Sequence, residues 1–281
     1  MNTFKKTTLA LAVFTLASGA IAQTAPAPAP APTASPITAN VTVVNDYRYR
    51  GISQSNFNPA IQGGFDYAHE SGFYIGNWNS SISWITDQWG PVNNGGPIKS
   101  APVEMDFYAG FKKELIAPGF ASDIGVLQYY YPITGVVNTS QFKNFNTTEI
   151  YAAQNFTTGP LTGFVKYSYA VTTLFGFYGS TGSSYADLTV NYDTGIWGIT
   201  ANAHVGYQYF AGTSSTAGVS NSSLYTYTDW KLGLTKDFGG GLSLSAAYVD
   251  TNAKKAGYTY SNTSSKSLGG SGAVVALTKT F

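Results

Sequence analysis

The chain has 281 residues with no cysteine and only 10% charged residues, against 15% aromatic residues and 31 glycines, and its mean hydropathy is −0.05. Fifteen basic and fourteen acidic residues leave a formal charge of +1, without the basic stripe that a nucleic-acid surface needs. The missing cysteines disfavour a small stapled domain, and no segment after the N-terminus offers the apolar run of about 18 residues that a membrane helix requires.

Lys5 and Lys6 precede an apolar run from Leu9 to Leu16, and Ala20-Ile21-Ala22 supplies the small residues that a signal peptidase reads. Residues 1–22 are therefore a predicted secretory signal peptide, cleaved before Gln23, whose apolar core is too short to span a membrane. Residues 23–38 follow as an Ala/Pro-rich periplasmic tether, short of apolar surface and expected to be extended and semi-rigid. Residues 39–281 remain for the folded part.

Alternation of apolar and polar residues marks twelve strands, at 39–50, 60–69, 73–85, 102–115, 120–131, 147–157, 161–174, 184–193, 196–210, 225–237, 242–252 and 271–281. Ten or fourteen strands are also compatible, because 73–85 and 120–131 carry aromatics on both faces. Short turns rich in Gly and Pro, such as Glu70-Ser71-Gly72 and Gly239-Gly240-Gly241, alternate with long polar connections such as Thr86 to Ala101 and Thr251 to Gly270. Transmembrane barrels of bacterial outer membranes have this arrangement, with turns in the periplasm and loops outside. An even strand count puts both termini on the turn side. The expected fold is thus an all-β, transmembrane antiparallel barrel; a soluble β-sandwich would share the alternation but carry more Lys and Glu on its polar faces.

In 196–210, Trp197, Ile199, Ala201, Ala203, Val205, Tyr207 and Tyr209 form one face, read as lipid-facing with aromatics at both interfaces. The last strand sets Ala273, Val275, Leu277 and Phe281 against Val274, Ala276, Thr278 and Thr280. Lys279 breaks the apolar face, tolerably if its ammonium snorkels to the headgroups. The terminal Phe281 resembles the signal read by barrel-assembly machinery.

Asn45-Asp46-Tyr47-Arg48-Tyr49-Arg50-Gly51-Ile52-Ser53-Gln54-Ser55 and the run from Pro59 to Tyr74 closely resemble the TorF-type porins of proteobacteria. The resemblance is specific over residues 40–80 and looser up to Thr278-Lys279-Thr280-Phe281. It implies an outer-membrane barrel that acts as a pore, and it assigns no substrate or catalytic residue.

A charge facing lipid at mid-membrane costs about 2–4 kcal/mol for Arg or Lys, so the charged residues belong on the lumen faces. The pore-lining candidates are Asp46, Arg48 and Arg50 on one face of the first strand, then Asp66, Glu104, Asp106, Glu149, Lys166, Asp187, His204, Asp229 and Lys231. They read either as a selectivity lining or as a salt-bridged plug in a closed barrel. His69 is expected to be solvated beside a turn. No Gly-x-Ser-x-Gly elbow accompanies His204, and neither cysteine chemistry nor metal or cofactor spacing is present. The preferred function is passive diffusion of small hydrophilic solutes or ions across the outer membrane. A receptor or adhesin acting through its loops is the first alternative, and a lipid-modifying enzyme the second. Expected partners are outer-membrane lipid, the assembly machinery and the solutes, with no nucleic acid; the solute and the oligomeric state are not specified.

Overall fold

In the computed structural model, residues 35–90, 96–135, 144–214, 218–259 and 266–281 are described; the expected signal peptide and most of the tether lie outside them. Twelve antiparallel strands close into one barrel: β1 (Ile37–Val44), β4 (Ala60–Ala68), β5 (Phe73–Ser81), β7 (Val103–Ala117), β8 (Phe120–Tyr130), β10 (Thr147–Thr158), β11 (Leu161–Ala170), β12 (Ser184–Asp193), β13 (Ile199–Tyr209), β14 (Tyr227–Asp237), β15 (Leu242–Thr251) and β16 (Gly272–Thr280). Each strand pairs with its neighbour in the chain, and β1 closes the ring on β16 through Asn40 opposite Thr280 and Val44 opposite Ala276. Two short hairpin-like pairs lie outside the ring: β2 (Arg48–Tyr49) with β3 (Ile52–Ser53), and β6 (Ile98–Ser100) with β9 (Thr134–Gly135). No described helix is long and apolar enough to cross a membrane.

The outer surface follows from the two-residue period. Ile75, Ile124, Ile150, Val165, Leu188, Leu232, Leu234 and Leu277 point out and are exposed. Phe73, Phe111, Phe120, Tyr192, Phe238 and Phe281 mark the turn end, and Tyr130, Tyr169, Tyr209 and Trp230 the loop end, as two girdles separated by aliphatics. Lys279 points outward at the turn end, where its ammonium donates to the Gly240 carbonyl, as the snorkelling expectation requires.

Four expectations change at strand ends. The seventh strand stops at Ala170 instead of residue 174, where a 3-10 turn over Leu174–Gly176 takes over. The first strand stops at Val44 instead of running to residue 50, because the Asn45 side chain takes over the ladder, donating to the Ala273 carbonyl and accepting from the Val275 N–H. Asp46, Arg48 and Arg50 therefore do not share a face of a wall strand; they lie on a segment that turns into the barrel. The third strand ends at Ser81, and residues Trp84–Trp89 form a short helix that buries Trp84 and Ile85, with Trp84 edge-on to Tyr131 and Phe145 at 5.7 Å. Trp197 is not on a strand: it sits in the 194–198 turn with φ +52°, beside Gly195 and Gly198 in the same left-handed region, and is 81% exposed.

Candidate functional site

The lumen faces bring together every charged residue expected there, and the inward segment supplies the rest. Arg48-Tyr49 pairs with Ile52-Ser53 across a two-residue tip, Arg50-Gly51, whose φ values of +47° and +78° are those of a tight hairpin turn. A Cβ on Gly51 would lie 2.5 Å from Thr251 Cγ2 and 2.7 Å from Asp229 Cβ, so the tip is pressed against the wall at β14 and β15 and only glycine fits. The left-handed backbone at Arg50 costs about 1–2 kcal/mol. That strain persists because the side chain is held on all sides.

Arg50 makes a two-pronged ion pair with Glu149 on β10, Nη2 to Oε2 at 2.7 Å and Nη1 to Oε1 at 3.1 Å, and Nη1 also donates to Gln208 Oε1 on β13 at 2.7 Å. Its guanidinium lies over the rings of Tyr49 and Tyr185, 4.9 and 4.2 Å from their centroids. Arg48 instead anchors the base of the hairpin. Its Nε donates to Asp46 at 2.5 Å and its Nη1 to the carbonyls of Gly51, Leu268 and Gly270.

Glu104 accepts from the hydroxyls of Tyr47 at 2.6 Å and Tyr131 at 2.7 Å. Burial first, and then the Glu104 charge, push both phenols well above their ordinary range, so they remain donors. Asp106, two residues along the same face, is buried with one carboxylate oxygen lacking a hydrogen bond. Asp66 accepts from the Tyr108 hydroxyl and Asp123 from Tyr74, which in turn contacts Tyr151. On the opposite wall His204 lies between two carboxylates, Nδ1 at 3.0 Å from Asp187 and Nε2 at 2.9 Å from Asp229; Tyr185 also donates to Asp229 at 2.9 Å. Lys166 reaches over the Tyr151 ring at 4.0 Å, and Lys231 stands opposite His204 in the register. Phe281 stays outside, exposed at the seam, its N–H donating to the Ala39 carbonyl.

Two lumen charges were not among the expected residues. Lys112 continues the face of Glu104 and Asp106, and the same alternation carried three steps further, through Tyr108 and Gly110, reveals it. Asp123 lies in the segment whose faces were ambiguous, and only its register opposite Lys112 resolves it. The groups within hydrogen-bond reach of His204 are Asp187, Asp229, Tyr185 and Thr189. His69 is exposed near a turn, bonded to Ser71. Among the described residues no group of three or more His, Cys, Asp or Glu is placed to hold a metal ion.

The outer half of the lumen is narrowed by packed side chains. The hairpin, the Trp84–Trp89 helix and Tyr47, Trp78, Leu127 and Tyr129 form one buried cluster with Glu149, Glu104 and Asp106 at its edge. Towards the turns the wall residues Lys112, Asp123, Thr189, Asn202, Ser245 and Thr278 are only half-buried.

No curated protein matches the chain. Among solved structures, the KdgM porin superposes with a TM-score of 0.50 at 8% identity, over 87% of this chain and 98% of that one. An outer-membrane channel from Pseudomonas putida F1 gives 0.49 at 10% identity, over 89% and 97%. At such identities the likeness is one of fold: a closed barrel of the porin kind. A family model described as "Bacterial protein of unknown function (Gcw_chp)" matches residues 29–281, and the chain belongs to that family.

Proposed function

We propose that the protein is an outer-membrane channel through which small hydrophilic solutes or ions diffuse, narrowed on its outer side by the inward hairpin. The observation that carries this reading is the division of the barrel surface. The outside is an aliphatic band between aromatic girdles, whereas the lumen is lined along its length by both signs of charge. A twelve-stranded ring encloses more space than its wall side chains fill, unlike an eight-stranded one. Here a separate segment of chain is spent to narrow the outer half. The TorF-type resemblance at residues 40–80 supports the same reading and covers this hairpin.

Arg48 and Arg50 are ion-paired in the hairpin, which makes them struts of the constriction before they are a free charge ring. Export after removal of residues 1–22, and docking with the assembly machinery through Phe281, belong to the same proposal. The test is reconstitution in planar bilayers, with the wild type beside a variant in which residues 46–58 are replaced by a short Gly-Ser link. Discrete conductance steps in the wild type, larger in the variant, are expected. Absence of steps in both would overturn the channel reading.

A further inference from the structure

The bonding of the lumen charges is unequal between the two signs. A single register row runs across the wall from Lys112 through Asp123, Ala153, Lys166, Asp187 and Gly206 to Asp229, each directly opposite the next. By formal count, acids slightly outnumber bases on the lumen side. The acids are nevertheless occupied: Glu149 by Arg50, Asp187 and Asp229 by His204, Glu104 and Asp66 by tyrosine hydroxyls. Asp106 has one buried oxygen without a partner, and it lies in the packed outer half.

Two of the bases are different. Among the described residues, the ammonium groups of Lys166 and Lys231 form no hydrogen bond and no close ion pair, although each carries three donors; Lys166 lies over the Tyr151 ring, and Asp187 acts on both lysines from a longer range. Lys166 sits opposite Asp187, and Lys231 opposite His204, so the two bracket the cluster whose acids are already spoken for. Both side chains are half-buried on inward-facing positions of their strands. A partly desolvated ammonium with unfilled donors is unfavourable until water or an anion completes it.

We infer that Lys166 and Lys231 are the solute-binding groups of the passage and that they take small oxyanions, carboxylate or phosphate, as these cross the lumen. This rests on the channel reading and deepens it. An oxyanion offers several acceptor lone pairs to a compact, rotatable ammonium, which chloride does with lower directionality. The neighbouring Asp187 and Asp229, held by His204, keep the site from binding so tightly that the solute cannot leave, the condition conduction imposes.

The test pairs calorimetry on the detergent-solubilised barrel with planar-bilayer recording, using inorganic phosphate and succinate as probes. In both, the wild type is compared with the Lys166→Gln/Lys231→Gln double variant and with Lys279→Gln, whose lysine lies outside at the turn end. Heat-modifiable gel mobility verifies that each variant is folded. Weak wild-type binding of both probes, lost at least tenfold in the double variant and kept in Lys279→Gln, is expected, together with a matching loss of probe-dependent block of current. Binding of phosphate alone would restrict the site to phosphate-bearing solutes, and of succinate alone to carboxylates. No binding to the wild type, or equal binding to the double variant, overturns the inference even if the barrel conducts. Binding without conductance in wild type and hairpin-less variant would instead sink the channel reading and leave a site in a closed barrel.

Discussion

The outer and inner halves of the lumen are built from the same wall strands but by opposite means. In the outer half a hairpin, a short helix and large aromatics exclude water, so each carboxylate needs a dedicated donor: Glu149 takes Arg50, and Glu104 takes two tyrosines. In the inner half Asn191, Asn202 and Thr235 bond to one another and Thr42 bonds to Thr278, and half-buried wall residues such as Thr189 and Ser245 stand beside buried ones such as Asn155 and Ser243. The difference teaches where substitutions are costly. The outer half behaves as a protein core that happens to be polar, and the inner half as a looser wall of short polar side chains.

The sharpest way to break this comparison is Glu149→Gln. It leaves a buried guanidinium without its carboxylate, a loss of about 3–5 kcal/mol read as a lower midpoint in urea unfolding. Adding Arg50→Gln should recover much of that loss; a strictly additive double variant would show that the pair is not coupled. Next in size, Leu232→Arg at the middle of β14 puts a charge in the lipid and should cost about 2–4 kcal/mol, whereas Ser245→Arg on the inner lumen wall should cost far less. Equal costs would mean that the inward and outward faces are misassigned. Tyr47→Phe or Tyr131→Phe removes one donor from Glu104 and should cost about 1.5–3 kcal/mol each. Smallest of all, Ser245→Ala should stay within about 0.5 kcal/mol and leave any conductance step unchanged.

Most of the wall was legible in the sequence, and the reason is local. The two-residue period and the glycine-rich turns are properties of neighbouring residues, and they place β4, β8, β12 and β15 within a residue or two of where they lie. The hairpin was not legible. Asp46, Tyr47, Arg48, Tyr49 and Arg50 resume the alternation of β1 after one inversion at Val44-Asn45, too slight a signal to mark the end of the ladder. Its inward course is fixed by partners far along the chain: Glu149, Gln208, Asp229 and Leu268. The lumen residues were identified as a set because charge avoids lipid, but their pairing was not, since register across a closed ring is a long-range quantity. Trp197 was misplaced for a smaller reason: a glycine on either side lets the turn extend by residues that read as strand.

The anchoring of the hairpin ties its fate to the end of the chain. Arg48 donates to Leu268 and Gly270, and the Ser53 N–H to the Leu268 carbonyl, so the seat of this early segment is provided by the connection that precedes the last strand. Closing so long a loop is slow, and it yields the β1–β16 seam and the seat in one event. A barrel still waiting for β16 has a hairpin with nowhere to rest, and residues 45–59 should then be the first bonds a periplasmic protease cuts. Resistance at that segment is therefore a marker of completed assembly. A circular permutant opened between Thr251 and Gly272 would retain all twelve strands and yet hold its hairpin by only one end of the latch.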